Sequence, residues 1–390
     1  MIHLLLAIIY ISFISLGLPD ALLGAAWPTM CQELSVPVSY AGGIALLISS
    51  GTVVSSLLSD RMTKKFGTGM VTACSVGLTA LALFGFSVSK EYWLLCLWAI
   101  PYGLGAGSVD ASLNNYVAIH YASRHMSWLH CMWGLGASVG PYIMGLALSG
   151  GLGWDRGYGI ISLMQIVLTA ALFISLPIWK GNKGKPNDEK APQRAPLSLR
   201  EVFRIQGAKE VAVAFFCYCA VEQTAGLWAS SYFVLKDGLD KETAASFASL
   251  FFIGITVGRA ISGFLTYKLN DTAMIRLGQG ILMVGILVMI LPFGYLVTVI
   301  GLLLIGLGCA PIYPCVIHST PAHFGKENSQ ALIGVQMASA YVGVCAMPPL
   351  FGLIANHIST ALLPAYLAII AVVMIIMCER LNRKSAARTL

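Results

Sequence analysis

Apolar residues along this chain come in long blocks rather than in alternation. Twelve stretches, near 3–30, 38–58, 69–88, 91–119, 127–149, 157–179, 209–235, 243–267, 273–292, 296–319, 328–352 and 359–379, are mostly apolar and separated by short polar turns. A helix needs about 20 such residues to cross the hydrocarbon of a bilayer. Blocks of that length recurring from end to end carry more apolar surface than a soluble core could bury. The pattern predicts an all-α membrane protein of twelve transmembrane helices. One interval breaks the rhythm: residues 180–204, KGNKGKPNDEKAPQRAPLSLREVFR, form a long polar stretch rich in Lys, Arg and Pro. It reads as a linker between two six-helix bundles, residues 1–179 and 205–390.

Charge orients these helices. Of the 24 Lys and Arg residues, Lys90, Arg156, Lys236 and Lys241 fall in loops on one side and Arg259 falls within a span; all the rest lie on the other side. The positive-inside rule makes that other side cytoplasmic, and the even number of spans places both termini there. The net charge of +7 is explained by basic residues in short loops beside lipid headgroups, and calls for no nucleic-acid partner. Residues 1–30 lack a basic leading region, and Asp20 interrupts the apolar run, so this segment reads as an uncleaved first helix. The ten cysteines show no metal-ligand spacing and read as small buried hydrophobes, and neither a metal nor a cofactor is expected. No nucleophile and base pair or phosphate loop stands out, which argues against an enzyme.

Only 11% of the residues are charged, yet Asp20, Asp110 and Glu222 each sit inside an apolar block. An ionised carboxylate at mid-bilayer costs a few kcal/mol even on lenient scales, so such groups mark proton or solute pathways more often than helix ties. These three are the candidates for proton coupling. Arg259 must meet an acid, a carbonyl or water; it can pair with Glu222 as a structural ion pair or as a switch, and the structural role is favoured.

Helical spacing groups further candidates. Asp20, Gly24 and Trp27 share one face, and Gly103, Gly107, Asp110 and Asn114 share another. The glycines are read first as close-packing positions. A sugar is recognised by aromatic faces against its C–H side and by amides or carboxylates that exchange hydrogen bonds with its hydroxyls. Asp20, Asn114, Asn115, Gln223 and Gln336 supply the polar groups, while Trp27, Trp133, Trp228 and Tyr313 supply rings. Trp27 and Trp228 are read equally well as residues of the interfacial belt. His130, one turn before Trp133, is a candidate relay, although a structural donor is the commoner role for such a histidine.

The halves echo each other. Ser39–Tyr40–Ala41 corresponds to Ser246–Phe247–Ala248, Gly51 to Gly258, and Gly103–Leu104–Gly105 to Gly306–Leu307–Gly308, as in a duplicated transporter whose halves rock about a central site. After the second span, residues Ser56–Gly67 place Asp60 ahead of Arg61, Lys64 and Lys65 in what reads as a short turn. This stretch resembles the loop motif G-x-x-x-D-R-x-G-R-R/K of the major facilitator superfamily, with Ser56 and Thr63 in place of the two glycines. The resemblance implies the two-bundle major facilitator fold and a gating role for Asp60, Arg61, Lys64 and Lys65, to which Arg259 is added from its place low in span eight. Within the superfamily, Gly103–Gly107 with Asp110 and Asn114, Trp133–Gly136 with Gly140–Pro141, Ala310–Pro314, and Gly343 with Pro348–Gly352 resemble the fucose permease type of sugar:proton symporter. In that family acids in spans one and four serve sugar binding and proton coupling; Asp20 and Asp110 stand there, with Asp replacing the usual Glu in span four.

The reading is therefore a secondary active transporter that takes up a hexose-like sugar or similar polar solute with protons, or with sodium in their place. It is expected as a monomer among the lipids of a bacterial inner membrane, working by alternating access. The run Gly136-x-x-x-Gly140–Pro141, completed by Gly145, resembles the fifth-helix motif of drug:proton antiporters and supports the alternative, a proton-coupled exporter of the same fold.

Overall fold

The structure is a computed structural model that describes residues 2–37, 40–181 and 196–389. Each expected block forms a helix long and apolar enough to cross a membrane. The twelve spans are Leu4–Glu33, Ala41–Phe66, Thr68–Val88, Tyr92–His120, Ser123–Ser149, Trp154–Trp179, Ala208–Asp237, Ser246–Leu265, Asp271–Ile290, Tyr295–Phe324, Lys326–His357 and Thr360–Ser385. Large apolar side chains such as Leu163, Ile174, Leu227 and Ile369 stand exposed on the helix surfaces. A bilayer solvates such side chains, whereas backbone polar groups at that depth must bond within a helix.

The chain divides into two compact units. One comprises Met1–Tyr116 and Leu129–Leu197; the other comprises Val117–Trp128 and Ser198–Leu390. The last turn of span four, the first turns of span five and the short connection between them thus group with the second unit. Of the expected linker 180–204, residues 182–195 lie outside the described residues. Beyond them Ser198 and Glu201 form a reciprocal capping box at the start of the short helix Leu199–Val202.

Glycines set the close crossings in both units. A methyl group added at Gly103 would fall on the Ile48 carbonyl, and one at Gly107 on the Thr52 carbonyl, so spans two and four meet backbone to backbone. In the second unit a methyl at Gly306 would fall on the Phe251 carbonyl, repeating the crossing between spans eight and ten.

Two local expectations are revised. Residues Ser56–Phe66 are not a turn but the last turns of span two, which continues to Gly67; that residue's φ of 81° is where the helix can end. Nothing between Ser56 and Phe66 breaks a helix, and Asp60 with Lys64 forms a supporting i,i+4 pair at 2.9 Å. Span one, read as one helix, is interrupted: a helix over Ile2–Gly17 ends, residues 18–21 turn, and a second helix runs over Leu22–Glu33. Pro19 is the cause, since it brings no N–H to the Ser15 carbonyl. The side chain of Gln165 in span six donates to that carbonyl instead, at 2.8 Å. The N–H groups of Asp20 and Leu22 reach back only three residues, to Gly17 and Pro19.

Candidate transport site

The break in span one carries Asp20 out of the helical ladder. Span five lies directly against it, because Gly17, Gly136 and Gly140 have no side chains; a methyl at these positions would fall on the carbonyls of Trp133, Ile14 and Leu18. This approach brings the Trp133 indole N–H to 2.8 Å from one Asp20 carboxylate oxygen. The Tyr102 hydroxyl of span four donates to the other oxygen at 3.2 Å. Asp20 is exposed, so its carboxylate holds two neutral donors and still has room to accept more.

Asp110 lies deeper and is buried. The Asn114 side-chain amide donates to its carboxylate at 2.7 Å and to its backbone carbonyl at 3.0 Å. The Asn114 carbonyl oxygen then faces His130 Nε2 at 3.0 Å. With Asp110 ionised the amide must present its NH2 group to the acid, so its oxygen needs a donor and His130 carries its proton on Nε2. Phe13 packs edge-on to the imidazole with ring centres 5.4 Å apart. Asp110, Asn114 and His130 therefore form one buried chain, while Asp20, Tyr102 and Trp133 form a more open group in the same unit. Among the described residues neither acid forms an ion pair.

Two members of this arrangement were not foreseen from the sequence, Tyr102 and Gln165. Gln165 also receives the Thr79 hydroxyl at 2.8 Å, and with Ser15, Pro19, Thr79 and Tyr102 it lines a water-sized cavity behind the break. An isolated amide in an otherwise apolar span, and a proline directly before a membrane acid, were the available signals. Trp27 is placed differently from the expectation of a ligand-facing ring: it is 5% exposed and packed in the apolar core with Leu22, Met30, Ile44 and Met144. Asn115 is buried on the helix that carries Asp110.

In the second unit Glu222 lies 3.5 Å from the Arg259 guanidinium, and Arg259 is buried. Tyr218 and Tyr313 are close electrostatic neighbours of that cation. Tyr313 also packs on Phe215 at 4.6 Å and bonds through its hydroxyl to the Met337 sulfur at 3.2 Å. Gln336 is fully buried and spends its amide on Thr320, 2.9 Å away, so it ties spans ten and eleven together. Trp228 donates to the Pro348 carbonyl at 3.0 Å and meets Phe351 edge-on. Gln223 is exposed.

At the end of span two, the buried Asp60 accepts from Lys64 and from the Leu197 backbone N–H at 3.3 Å. Arg61 and Lys65 are exposed, Lys65 over the Phe66 ring at 5.1 Å.

Known proteins match this chain over most of its length. The family model of the Major Facilitator Superfamily matches residues 9–329 and again 211–389. The Glucose/mannose transporter GlcP of Bacillus subtilis is 21% identical over 388 residues, covering 96% of this chain and 94% of that protein. Bypass of stop codon protein 6 of Saccharomyces cerevisiae is 24% identical over 390 residues, covering 91% of this chain and 77% of that protein. Among solved structures, the transporter FucP in an outward conformation superposes with a TM-score of 0.76 at 15% identity, over 95% of this chain and 98% of that one. The same protein is described as the fucose:proton symporter of E. coli. With twelve membrane spans, paired glycine crossings and a family match that covers both halves, this chain is a multi-pass transporter belonging to the Major Facilitator Superfamily.

Proposed function

We propose that the protein takes up a hexose-like sugar with protons by alternating access in a cytoplasmic membrane, with Asp20 in the substrate site and Asp110 as the coupling acid. The observation that carries this reading is the pairing of Asp20 with Trp133 at a broken helix. An exposed carboxylate beside an indole offers both devices that a sugar needs, a hydrogen-bond acceptor for hydroxyls and a ring for the C–H face. Discontinuous helices are also where transporters of this kind place their ligands. Two relatives carry hexoses by their names, GlcP and FucP, which supports the substrate class.

Asp110 suits the coupling role because it is buried with a neutral donor, the Asn114 amide, on its carboxylate. Closing the carrier around an ionised Asp110 keeps an unbalanced charge in low dielectric, and protonation removes that cost. His130, bonded to the Asn114 oxygen, holds that amide with its NH2 group toward Asp110 and so orients the acid. The loaded, protonated carrier then reorients freely while the empty, ionised one does not.

Proteoliposome uptake of labelled glucose, galactose, mannose and fucose, with and without an inward proton gradient, tests this reading. Gradient-stimulated accumulation of at least one hexose is expected. Accumulation driven by sodium alone would replace the ion, and no hexose uptake combined with proton-driven dye efflux would replace the reading by the exporter.

A further inference from the structure

A second cluster of ionisable groups lies far along the sequence from Asp20 and Asp110. His318, in the last two turns of span ten, uses both ring nitrogens: Nδ1 lies 2.6 Å from an Asp271 carboxylate oxygen and Nε2 lies 3.0 Å from the Tyr121 backbone carbonyl. Asp271 opens span nine, and its other oxygen accepts the Ser123 hydroxyl at 2.5 Å. Tyr121 and Ser123 belong to Val117–Trp128, the segment that groups with the second unit.

Counting protons gives this cluster its meaning. A backbone carbonyl and an ionised carboxylate only accept, so an imidazole bonded to both must donate from both nitrogens and is charged. If the carboxyl carries the hydrogen instead, the ring still needs its own on Nε2. In either arrangement the Asp271–His318 pair holds one proton more than an ionised aspartate beside a neutral ring. Without that proton, a nitrogen lone pair faces an oxygen at one of the two contacts, and a hydrogen bond becomes a repulsion.

We propose that the Asp271–His318 pair is a second proton-binding site of this transporter, and that its proton clamps the segment 117–128 onto the second unit. Other contacts of the segment do not involve that proton. Arg124 lies over the Tyr267 ring at 5.0 Å, and Trp128 packs edge-on to Phe264 at 5.6 Å where Gly263 leaves room. Ionisable groups that feel the Asp271 charge include the Cys315 thiol, also 3.9 Å from Ser123, and His323. His125 packs against Tyr121 and Trp128. The helix Tyr92–His120 that leads into the clamped segment is the one that carries Asp110, so a proton held here bears on the coupling helix whatever the cargo is.

Hydrogen–deuterium exchange of the full chain in lipid nanodiscs, followed from about pH 5.5 to 8.5 and corrected for the intrinsic exchange rate, tests the clamp. Peptides covering 117–128 are expected to be protected at low pH. Between the pH at which the opened pair would lose its proton and the higher pH at which the closed pair does, their opening should grow about tenfold per pH unit, the slope of a one-proton linkage, and above that it should level off. His318→Gln should abolish the step and leave the segment open throughout; if that variant does not fold, Asp271→Asn carries the same expectation. His125→Gln and Asp110→Asn should retain the step. A flat wild-type profile would overturn the proposal, as would a step that survives loss of His318 or Asp271, or one that vanishes with His125 or Asp110. Sugar uptake is not needed for the readout, so failure here is separate from failure of the hexose reading.

Discussion

The two units share a backbone device and differ in the chemistry mounted on it. Gly103 in the first unit and Gly306 in the second each let a helix backbone lie on a neighbouring carbonyl, at positions that correspond in the duplicated sequence. On the first frame stand Asp20 and Asp110, held by Trp133, Tyr102 and Asn114, all of them neutral donors. On the second stands Glu222, whose charge is met by Arg259. Glu222 thus meets a fixed opposite charge, whereas the buried Asp110 meets a neutral amide. On the mechanism proposed above, the first unit couples and the second holds its shape around a closed charge pair.

The largest expected effect follows from Asp110. Asp110→Asn removes the group whose charge changes but keeps a polar side chain beside Asn114. Gradient-driven accumulation should be abolished, while counterflow across equal gradients persists, as labelled-sugar uptake would measure. Loss of both activities would instead make Asp110 a ligand or a folding residue and end the contrast between the units.

Next in size is the break of the pair in the second unit. Glu222→Gln leaves the buried Arg259 without its acid and should lower stability by about 3 kcal/mol, the usual cost of removing one partner from a buried charge. The double variant Arg259→Met, Glu222→Gln should recover most of that loss, read as the midpoint of thermal unfolding in detergent. If the single variant is as stable as wild type but no longer couples, Arg259 is a switch and both units take part. A smaller and symmetrical effect is expected at the crossings: Gly103→Ala and Gly306→Ala should each cost about 2 kcal/mol by overpacking, and unequal losses would show that the duplicated frames are not equivalent.

How much of this was legible in the sequence differs by level. Span positions were, because apolar block length answers directly to bilayer thickness. The glycine crossings were too, since small residues at helical spacing beside an acid have few other uses. The break in span one was hidden by the length of its apolar run, although Pro19 beside Asp20 carried the signal. The partners of Asp20 were harder still. Trp133 was singled out as a ring, yet its role as a donor depends on Gly17, Gly136 and Gly140 bringing span five against span one, a juxtaposition that no spacing within one helix encodes. Tyr102 looked like any aromatic in an apolar span. Trp27 shows the limit of periodicity: it shares a face with Asp20 only if the helix is continuous, and the chain turns at residues 18–21 while Trp27 packs in the core.

The smallest expected effect sets one indole of each unit against the other. Trp133 donates to a carboxylate at 2.8 Å and Trp228 donates to the Pro348 carbonyl at 3.0 Å, so the two bonds are alike in geometry and differ in the charge of the acceptor. A bond to a charged acceptor is worth about twice one to a neutral acceptor. Trp133→Phe keeps a ring for the sugar and removes the donor that orients Asp20. The half-saturation concentration for uptake should therefore rise about tenfold, equivalent to about 1.4 kcal/mol, with little change in the unfolding midpoint because exposed Asp20 can turn to water. Trp228→Phe should do the opposite, costing about 1 kcal/mol of stability and leaving the half-saturation concentration unchanged. Equal effects on uptake from both substitutions would place substrate against both units and dissolve the division of labour drawn from their acids.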